Sequence, residues 1–311
     1  ASTIVILCGQ GNNGGDGYTA AVHLKSRGHH VICVAVGGKK PKTQDALRAY
    51  NHWLEKGGEV IDDPYMAPKA DVVVDAMLGV GITKAISGDY IDAALWFNER
   101  QALHMAIDVP TGIDAEKGNW VGGIKGCVAD MTLNLISAKA GCFMNDGKDA
   151  SGMVTLSELD VSVPLSSLSL IDTDDFKHIL ELRKYHSHKG TYGHCVVIGG
   201  DKGKVGAALL AARSALKLGA GSVTVELMAP NAPLYDPMQP ELMITDEPVD
   251  FSDADAIVIG CGMGFSQKAK DRLIAAVRSN VPLIIDADAL TMISEDQSLE
   301  DEVLARKAHT V

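Results

Sequence analysis

GQGNNGGDGYTAAVHLKSRGHH, residues 9–30, is the stretch whose reading decides the fold. It follows the apolar run TIVILC (residues 3–8) and places five glycines within nine residues, Gly9 to Gly17. A helix-like pattern comes next. Strand, glycine-rich turn and helix in that order make a phosphate cradle. Glycines let the backbone approach a ligand, and the free amides of a helix N-terminus attract anions. Gly9, Gly11 and Gly14 also match G-x-G-x-x-G literally, which raises a dinucleotide dehydrogenase as one reading. That reading requires an acid about 20 residues on, at the end of the second strand, to hold the ribose. The second apolar run, HVICVAV, ends instead in Gly37, Gly38, Lys39 and Lys40, and the next acid is Asp45. The fingerprint is incomplete.

The loop also carries parts that a dehydrogenase motif leaves unexplained: Asn12, Asn13 and Asp16. A carboxylate beside bound phosphate is repulsive unless a cation or hydroxyl faces it. Asparagine supplies neutral oxygens suited to a hard cation. The stretch therefore reads as a site for a hydroxylated ligand with a monovalent cation beside it. The plain alternative is a tight turn that uses Asn and Gly for positive φ.

Outward from this stretch, short apolar runs alternate with helical patterns. Strands are predicted at 3–8, 30–36, 71–76, 103–108 and 131–136, with helices at 18–27, 43–56 and 89–100. This is the signature of βαβ units on a parallel sheet buried on both faces. From 152 to 187 the texture becomes Ser- and Asp-rich, read as a connection with a short helix at 173–182 capped by Asp172 or Thr173. The alternation then restarts, with strands at 194–198, 222–228, 256–259 and 282–286 and a helix at 205–218 ending at Gly219. Length agrees: 311 residues suggest about two domains.

Three strand ends converge. VVVDAMLGVGITKA puts Asp75 at one of them before a second glycine loop, and MAIDVPTGID puts Asp108 at another before Pro110 and Gly112. Ligands of open parallel sheets bind beyond the strand C-termini. A lone Asp at such a place is often a helix cap; three acids or glycine loops delivered to one edge read as a site. Lys139, in ISAKAG, ends a further strand as a candidate proton donor, with a solvated lysine as the alternative.

A formal net charge of −12 argues against nucleic-acid or anionic-membrane partners. The apolar start is too short for a signal peptide and no apolar run reaches membrane-spanning length, so a cytoplasmic protein is expected. Cys8, Cys33, Cys127, Cys142, Cys195 and Cys261 form no C-x-x-C pair and are expected as buried thiols, without zinc.

GQGNNGGDGYTAA, VDAMLGVG, IDVPTGID and ISAKAG together resemble the N-terminal domain of the bifunctional NAD(P)H-hydrate repair enzymes. SHKGTYGHCVVIGG, GAALLAARSALKLGAGSVTV, VIGCGMG and IIDADAL resemble the C-terminal, ribokinase-like dehydratase domain of that family. The resemblance implies an N-terminal Rossmann-like three-layer sandwich and a partial ribokinase-like α/β domain. The corresponding spans are an epimerase domain at 1–160, a linker at 161–186 and the first part of a dehydratase domain at 187–311.

The family's first domain interconverts the R and S forms of NAD(P)HX, a nicotinamide cofactor hydrated on its reduced ring. The second dehydrates the S form with ADP or ATP. On this chain, Asn12, Asn13, Gly14, Gly15 and Asp16 would hold the hydrated cofactor, and Asn13, Asp75 and Thr111 would form the potassium (K+) site. The family usually has Ser where Thr111 stands. Gly79, Val80, Gly81, Ile82, Thr83, Lys84 and Ala85 would form the loop against the phosphates, with Lys84 as a charge partner. Asp108 would face the hydrated ring, with Lys139 assisting.

In the second half, Ala207 would line the substrate pocket beside the turn of Gly262 and Gly264, and Asp286 and Asp288 stand at a strand end or cap the next helix. The resemblance implies a small-molecule substrate and a homo-oligomer.

The family's dehydratase continues with TPHPGE-like, KGA-type and GMGD-type segments that are absent here, and a helical segment precedes its first strand. The chain is therefore expected to be cut at both ends and to lack dehydratase activity as it stands. A non-catalytic nucleotide-binding or scaffolding protein of the same fold, and a small-molecule kinase, are the competing readings. A scaffold has no need of Asp16, Asp75 and Asp108 together.

Overall fold

The computed structural model describes residues 1–163, 168–177 and 182–311. The chain divides into two compact units, Ala1–Ile171 and Asp172–Val311.

Unit 1 runs β1 (Thr3–Cys8), α1 (Asn12–Ser26), β2 (His30–Ala35), α2 (Gln44–Glu55), β3 (Glu59–Ile61), β4 (Val72–Ala76), α3 (Asp89–Asn98), β5 (Leu103–Ile107), β6 (Met131–Leu135), α4 (Asn145–Ser151) and β7 (Met153–Ser157). The strands form one sheet in the order β3-β2-β1-β4-β5-β6-β7, and every pair is parallel. From β1 the chain builds outward to β3, then returns to the other side of β1 at β4. The crevice between the ends of β1 and β4 is the topological switch point, where ligands of such sheets bind.

Both faces of this sheet are buried, which is why its strands read as unbroken apolar runs. On β1, Val5 and Leu7 pack with Trp96 and Phe97 of α3. Ile4, Ile6 and Cys8 pack on the opposite face with Tyr18, Tyr50 and Trp53 of α1 and α2. The edge strands β3 and β7 carry no such run and were not legible in the pattern; residues of β7 alternate only between exposed and half-buried.

One expectation needs correcting. The helix placed at 18–27 begins at Asn12, so most of the glycine-rich turn is helix. Glycine costs a helix interior about 1 kcal/mol against alanine. Close packing here overrides that propensity. A Cβ on Gly14 would lie 1.9 Å from the Gly9 carbonyl oxygen, and one on Gly15 would lie 2.9 Å from the Ala46 Cα. The glycines bring α1 down onto the strand ends rather than only bending a loop.

Unit 2 holds α5 (Thr173–Phe176), β8 (His194–Gly199), α6 (Val205–Leu218), β9 (Ser222–Leu227), β10 (Met243–Thr245), β11 (Ala256–Ile259), α7 (Gln267–Arg278), β12 (Leu283–Ile285), α8 (Ala287–Ser294) and α9 (Gln297–Leu304). Its sheet is also all parallel, in the order β10-β9-β8-β11-β12, with its own switch point between β8 and β11. Thr310 pairs with Leu283 in parallel, so the last residues run beside β12. The helix expected at 173–182 is capped by Asp172, whose carboxylate accepts from the Asp174 amide; positions 178–181 lie outside the described residues.

The six cysteines are free thiols, five of them buried and Cys261 half-buried. Among the described residues, no helix is long and apolar enough to cross a membrane.

Candidate active site

A cleft of about 900 Å³ opens at the switch point of unit 1. Four strand ends and the start of α2 supply its walls. After β1, the start of α1 contributes Gly11, Asn12, Asn13 and Asp16. After β4 comes the loop from Met77 to Lys84. β5 delivers Asp108, and β6 delivers Leu135, Ile136, Ser137 and Lys139.

Most of the expected site residues meet here. Asn12, Asn13, Asp16, Gly79, Val80, Gly81, Ile82, Thr83, Lys84, Asp108 and Lys139 line one space. Gly14, Gly15 and Ala85 do not, because the two glycines face backbone inside the helix contact. Gly79 shows how tightly the walls converge. A Cβ at that position would sit 3.1 Å from the Asp108 Oδ2 and 3.3 Å from the Asn13 Cγ.

Asp108 is the centre of the constellation. Its residue is 8% exposed, and its backbone takes φ 69°, a left-handed conformation rare outside glycine. Such a conformation costs roughly 1–2 kcal/mol and persists where surroundings over-determine it, often at functional sites. The Lys139 Nζ lies 2.5 Å from the Asp108 Oδ1, and the Leu135 amide donates to the same oxygen at 3.3 Å. Lys139 also donates to the Leu135 carbonyl, and its side chain is only 13% exposed. This is a buried ion pair, so the solvated-lysine alternative does not hold.

Asp16 is the second carboxylate of the cleft. Burial, and then the charge of Asp108, push its carboxyl up from the ordinary aspartate range. Two carboxylates in one space with different partners is the arrangement that separates proton donor from charge stabiliser.

Asp75, in β4, is fully buried and does not line the cleft. It accepts from the Thr111 amide at 2.7 Å, the Thr111 hydroxyl at 2.8 Å and the Met77 amide at 3.1 Å. Burial drives its carboxyl upward, against the pull of those hydrogen bonds and one from Cys127. Among the described residues it makes no ion pair. The Asn13 side-chain nitrogen is buried without any hydrogen-bond partner. The oxygens of Asp75, Thr111 and the Asn13 side chain are of the donor type that a hard cation takes, whereas the unpaired Asn13 nitrogen calls for an acceptor.

Some residues escaped the sequence reading. Thr43 lines the cleft from the start of α2, with a buried hydroxyl that has no partner. Its only signal was its place at a helix start. Ile136 and Ser137 also line the cleft, and their signal was adjacency to Lys139 in ISAKAG. Asn134 is fully buried behind the cleft and bonds the backbones of both Asp108 and Lys139. Nothing in a strand pattern marks it, since its alternation matches an ordinary inward position.

The expected residues of unit 2 gather at the end of its own sheet. Gly262 packs on Ala207, with a Cβ there falling 3.1 Å from the Ala207 Cβ. The Gly264 amide donates to the Asp288 Oδ2 at 2.9 Å, and Lys204 reaches the same oxygen at 3.1 Å. Burial pushes the Asp288 carboxyl up, but these two bonds outweigh it and hold it below the ordinary range. Asp286 stands at the cap position of α8 without a capping bond; its carboxylate accepts from the Cys261 thiol at 3.3 Å.

Comparison with known proteins agrees with both halves. Residues 1–141 match the family described as YjeF-related protein N-terminus, and residues 195–311 match NAD(P)H-hydrate dehydratase. The bifunctional NAD(P)H-hydrate repair enzyme Nnr of Escherichia coli K12 is 34% identical over 93% of this chain and 58% of its own length. The Coxiella burnetii enzyme of the same name is 31% identical over 97% of this chain and 64% of its own length. The bifunctional NAD(P)H-hydrate repair enzyme of Leishmania braziliensis is 31% identical, over 94% and 57% respectively. The chain thus spans 57–64% of these relatives. With a match to each of the two domain types, the chain is similar over most of its length to the bifunctional NAD(P)H-hydrate repair enzymes.

Proposed function

We propose that unit 1 epimerises the R and S forms of NAD(P)HX in the cleft at its switch point. The observation that carries this reading is the Asp108–Lys139 pair, buried at a strand end in a space that Asp16 also enters.

The chemistry follows from the substrate. The carbon to be inverted bears a hydroxyl and adjoins the ring nitrogen. Inversion by exchange breaks the C–O bond, with a proton delivered to the departing oxygen so that water leaves. The ring nitrogen's lone pair then holds a cationic ring. Water returns to the opposite face and gives its proton back. An anion at the ring and a group able to give and take the proton are both required. Asp108, kept close to Lys139, supplies the fixed charge. Asp16, with its raised carboxyl, is suited to the proton. Gly79, Val80, Gly81, Ile82, Thr83 and Lys84 supply backbone and one cation for the phosphates. Gly14 and Gly15 serve by seating α1, and Ala85 by continuing the phosphate loop.

Potassium held by Asn13, Asp75 and Thr111 would offset the buried charge of Asp75 and fix the loop ends around the cleft. Unit 2 would contribute Ala207, Gly262 and Gly264 to a dehydratase pocket that uses ADP or ATP on the S form. A soluble cytoplasmic homo-oligomer acting on this small molecule completes the proposal.

The test is direct. Purified R-NADHX is followed by proton NMR in buffers containing potassium, sodium or choline. Conversion to the S form well above the spontaneous rate, and faster in potassium, is expected. Conversion no faster than in buffer alone would sink the reading. Equal rates in all three salts would remove the potassium site while leaving epimerisation intact.

A further inference from the structure

We infer that Asn134 is the positioning residue that sets the geometry of the Asp108–Lys139 pair. This rests on the epimerase reading of the same cleft, but the contacts stand on their own.

Asn134 is the fourth residue of β6 and is fully buried. Its side-chain nitrogen donates to the backbone carbonyl of Asp108 and lies 3.5 Å from the Cys142 sulfur. Its side-chain oxygen accepts from the backbone amide of Lys139 at 3.0 Å. One amide therefore grips the backbones of both members of the ion pair. Its donor and its acceptor are both used, so rotation by 180° would place each against the wrong partner.

The backbone explains why such a grip is needed. Asp108 has φ 69° and Ile136 has φ 70°, so both turns into the cleft pass through the left-handed region without glycine. For a β-branched residue such as Ile136 this is a genuine outlier. The turn at Ile136 carries the chain back to Lys139, five residues beyond Asn134. The Asn134 oxygen closes that turn, and its nitrogen anchors the other. Without the clamp, both residues can relax toward ordinary φ, which swings the Asp108 carboxylate and the Lys139 ammonium apart. A misplacement of about 1 Å in such a pair can cost on the order of 100-fold in rate.

The experiment compares Asn134→Ala and Asn134→Thr with wild type by epimerisation kinetics. In Asn134→Ala, kcat should fall about 100-fold with KM changed less than threefold. Asn134→Thr retains a group that both donates and accepts and should recover at least tenfold of the loss. A double-mutant cycle with Lys139→Ala should be strongly non-additive, since Asn134 acts through that lysine. Unchanged kcat, a loss carried by KM alone, or no recovery in Asn134→Thr would overturn the inference. Should Asn134→Ala fail to fold, Asn134→Thr and the cycle built on it carry the decision.

A second readout needs no turnover. Hydrogen exchange of the Lys139 amide, which donates to the Asn134 side-chain oxygen, should accelerate at least tenfold in Asn134→Ala while the amides of β1 and β4 keep their wild-type protection. Unchanged exchange there rejects the positioning role even if the epimerase reading holds. Accelerated exchange with no epimerisation in wild type rejects that reading and keeps the clamp.

Discussion

The two sheets reverse their strand order in the same way, and the first opens a cleft of about 900 Å³ where it reverses. In unit 1 the Gly9 amide, just after β1, donates to the Ala76 carbonyl at the end of β4 at 3.1 Å, and beyond that contact residues of α1 and those following β4, β5 and β6 line the cleft. In unit 2 the corresponding loops bond each other. The Gly200 amide donates to the Cys261 carbonyl at 3.0 Å, and the Asp201 amide to the Gly262 carbonyl at 2.7 Å. Both units also bury charge, to different ends. Asp108 and Lys139 meet at the wall of a cleft, whereas Glu226 and Arg272 pair inside the packing between β9 and α7. A shared topology fixes which ends of the strands can host a ligand. Side chains and loop contacts decide whether a charge there faces substrate or serves packing.

The sharpest way to break that comparison is Asp108→Asn. The variant keeps the shape of the side chain and removes its charge. Epimerisation should drop on the order of 10²–10⁴-fold, with near-UV circular dichroism showing an intact fold. Wild-type conversion rates in this variant would place Asp108 alongside Glu226 as a packing charge.

Arg272→Met addresses the other side of the contrast. Arg272 reaches the Glu226 Oε2 at 2.7 Å and the Val249 carbonyl at 2.8 Å, and its guanidinium lies over the Phe251 ring at 4.6 Å. Removing it leaves a fully buried carboxylate without its cation, at a cost of about 3–5 kcal/mol. Hydrogen exchange of β9 and α7 should accelerate strongly, while epimerisation at 25 °C stays at its wild-type level. Unchanged protection would show that the pair contributes nothing to packing.

The smallest effect is a pH dependence. Asp16 has a folded pKa raised above its unfolded value of 3.8, chiefly by burial and then by Asp108. The folded state thus binds that proton more tightly. The stability this lends is complete below pH 3.8 and is lost as pH rises through the folded pKa. Asp16→Asn should therefore match wild type in Tm near pH 3.5 and exceed it by about 1–2 °C at pH 7, a modest gain because the side chain is partly solvated. A gain that is equal at both pH values would remove the charge explanation.

Much of the site was legible because strand-end chemistry is local. Asp75, Asp108 and the loop from Gly79 to Lys84 follow apolar runs whose direction is fixed by a parallel sheet, and all point to one edge. The start of α1 was misread because glycine argues against helix, and only the contacts of Gly14 with Gly9 and of Gly15 with Ala46 reverse that argument. The edge strands β3 and β7 lacked the two-sided burial that makes a strand visible. Asn134 was invisible for a different reason. Its partners, Asp108 and Lys139, are brought to it by the pairing of β5 with β6 and by a turn that no propensity predicts.

The sequence by itself determined two parallel α/β units, a helix after the glycine-rich stretch, and the set of acids delivered to the strand ends. Those follow from periodicity and composition, which act over a few residues. Tertiary structure decided that Lys139 is buried against Asp108, that Asp75 is enclosed by Thr111, and that one asparagine holds both turns. These depend on register between strands distant in sequence, where a hydrogen bond of about 3 Å tolerates no error in placement.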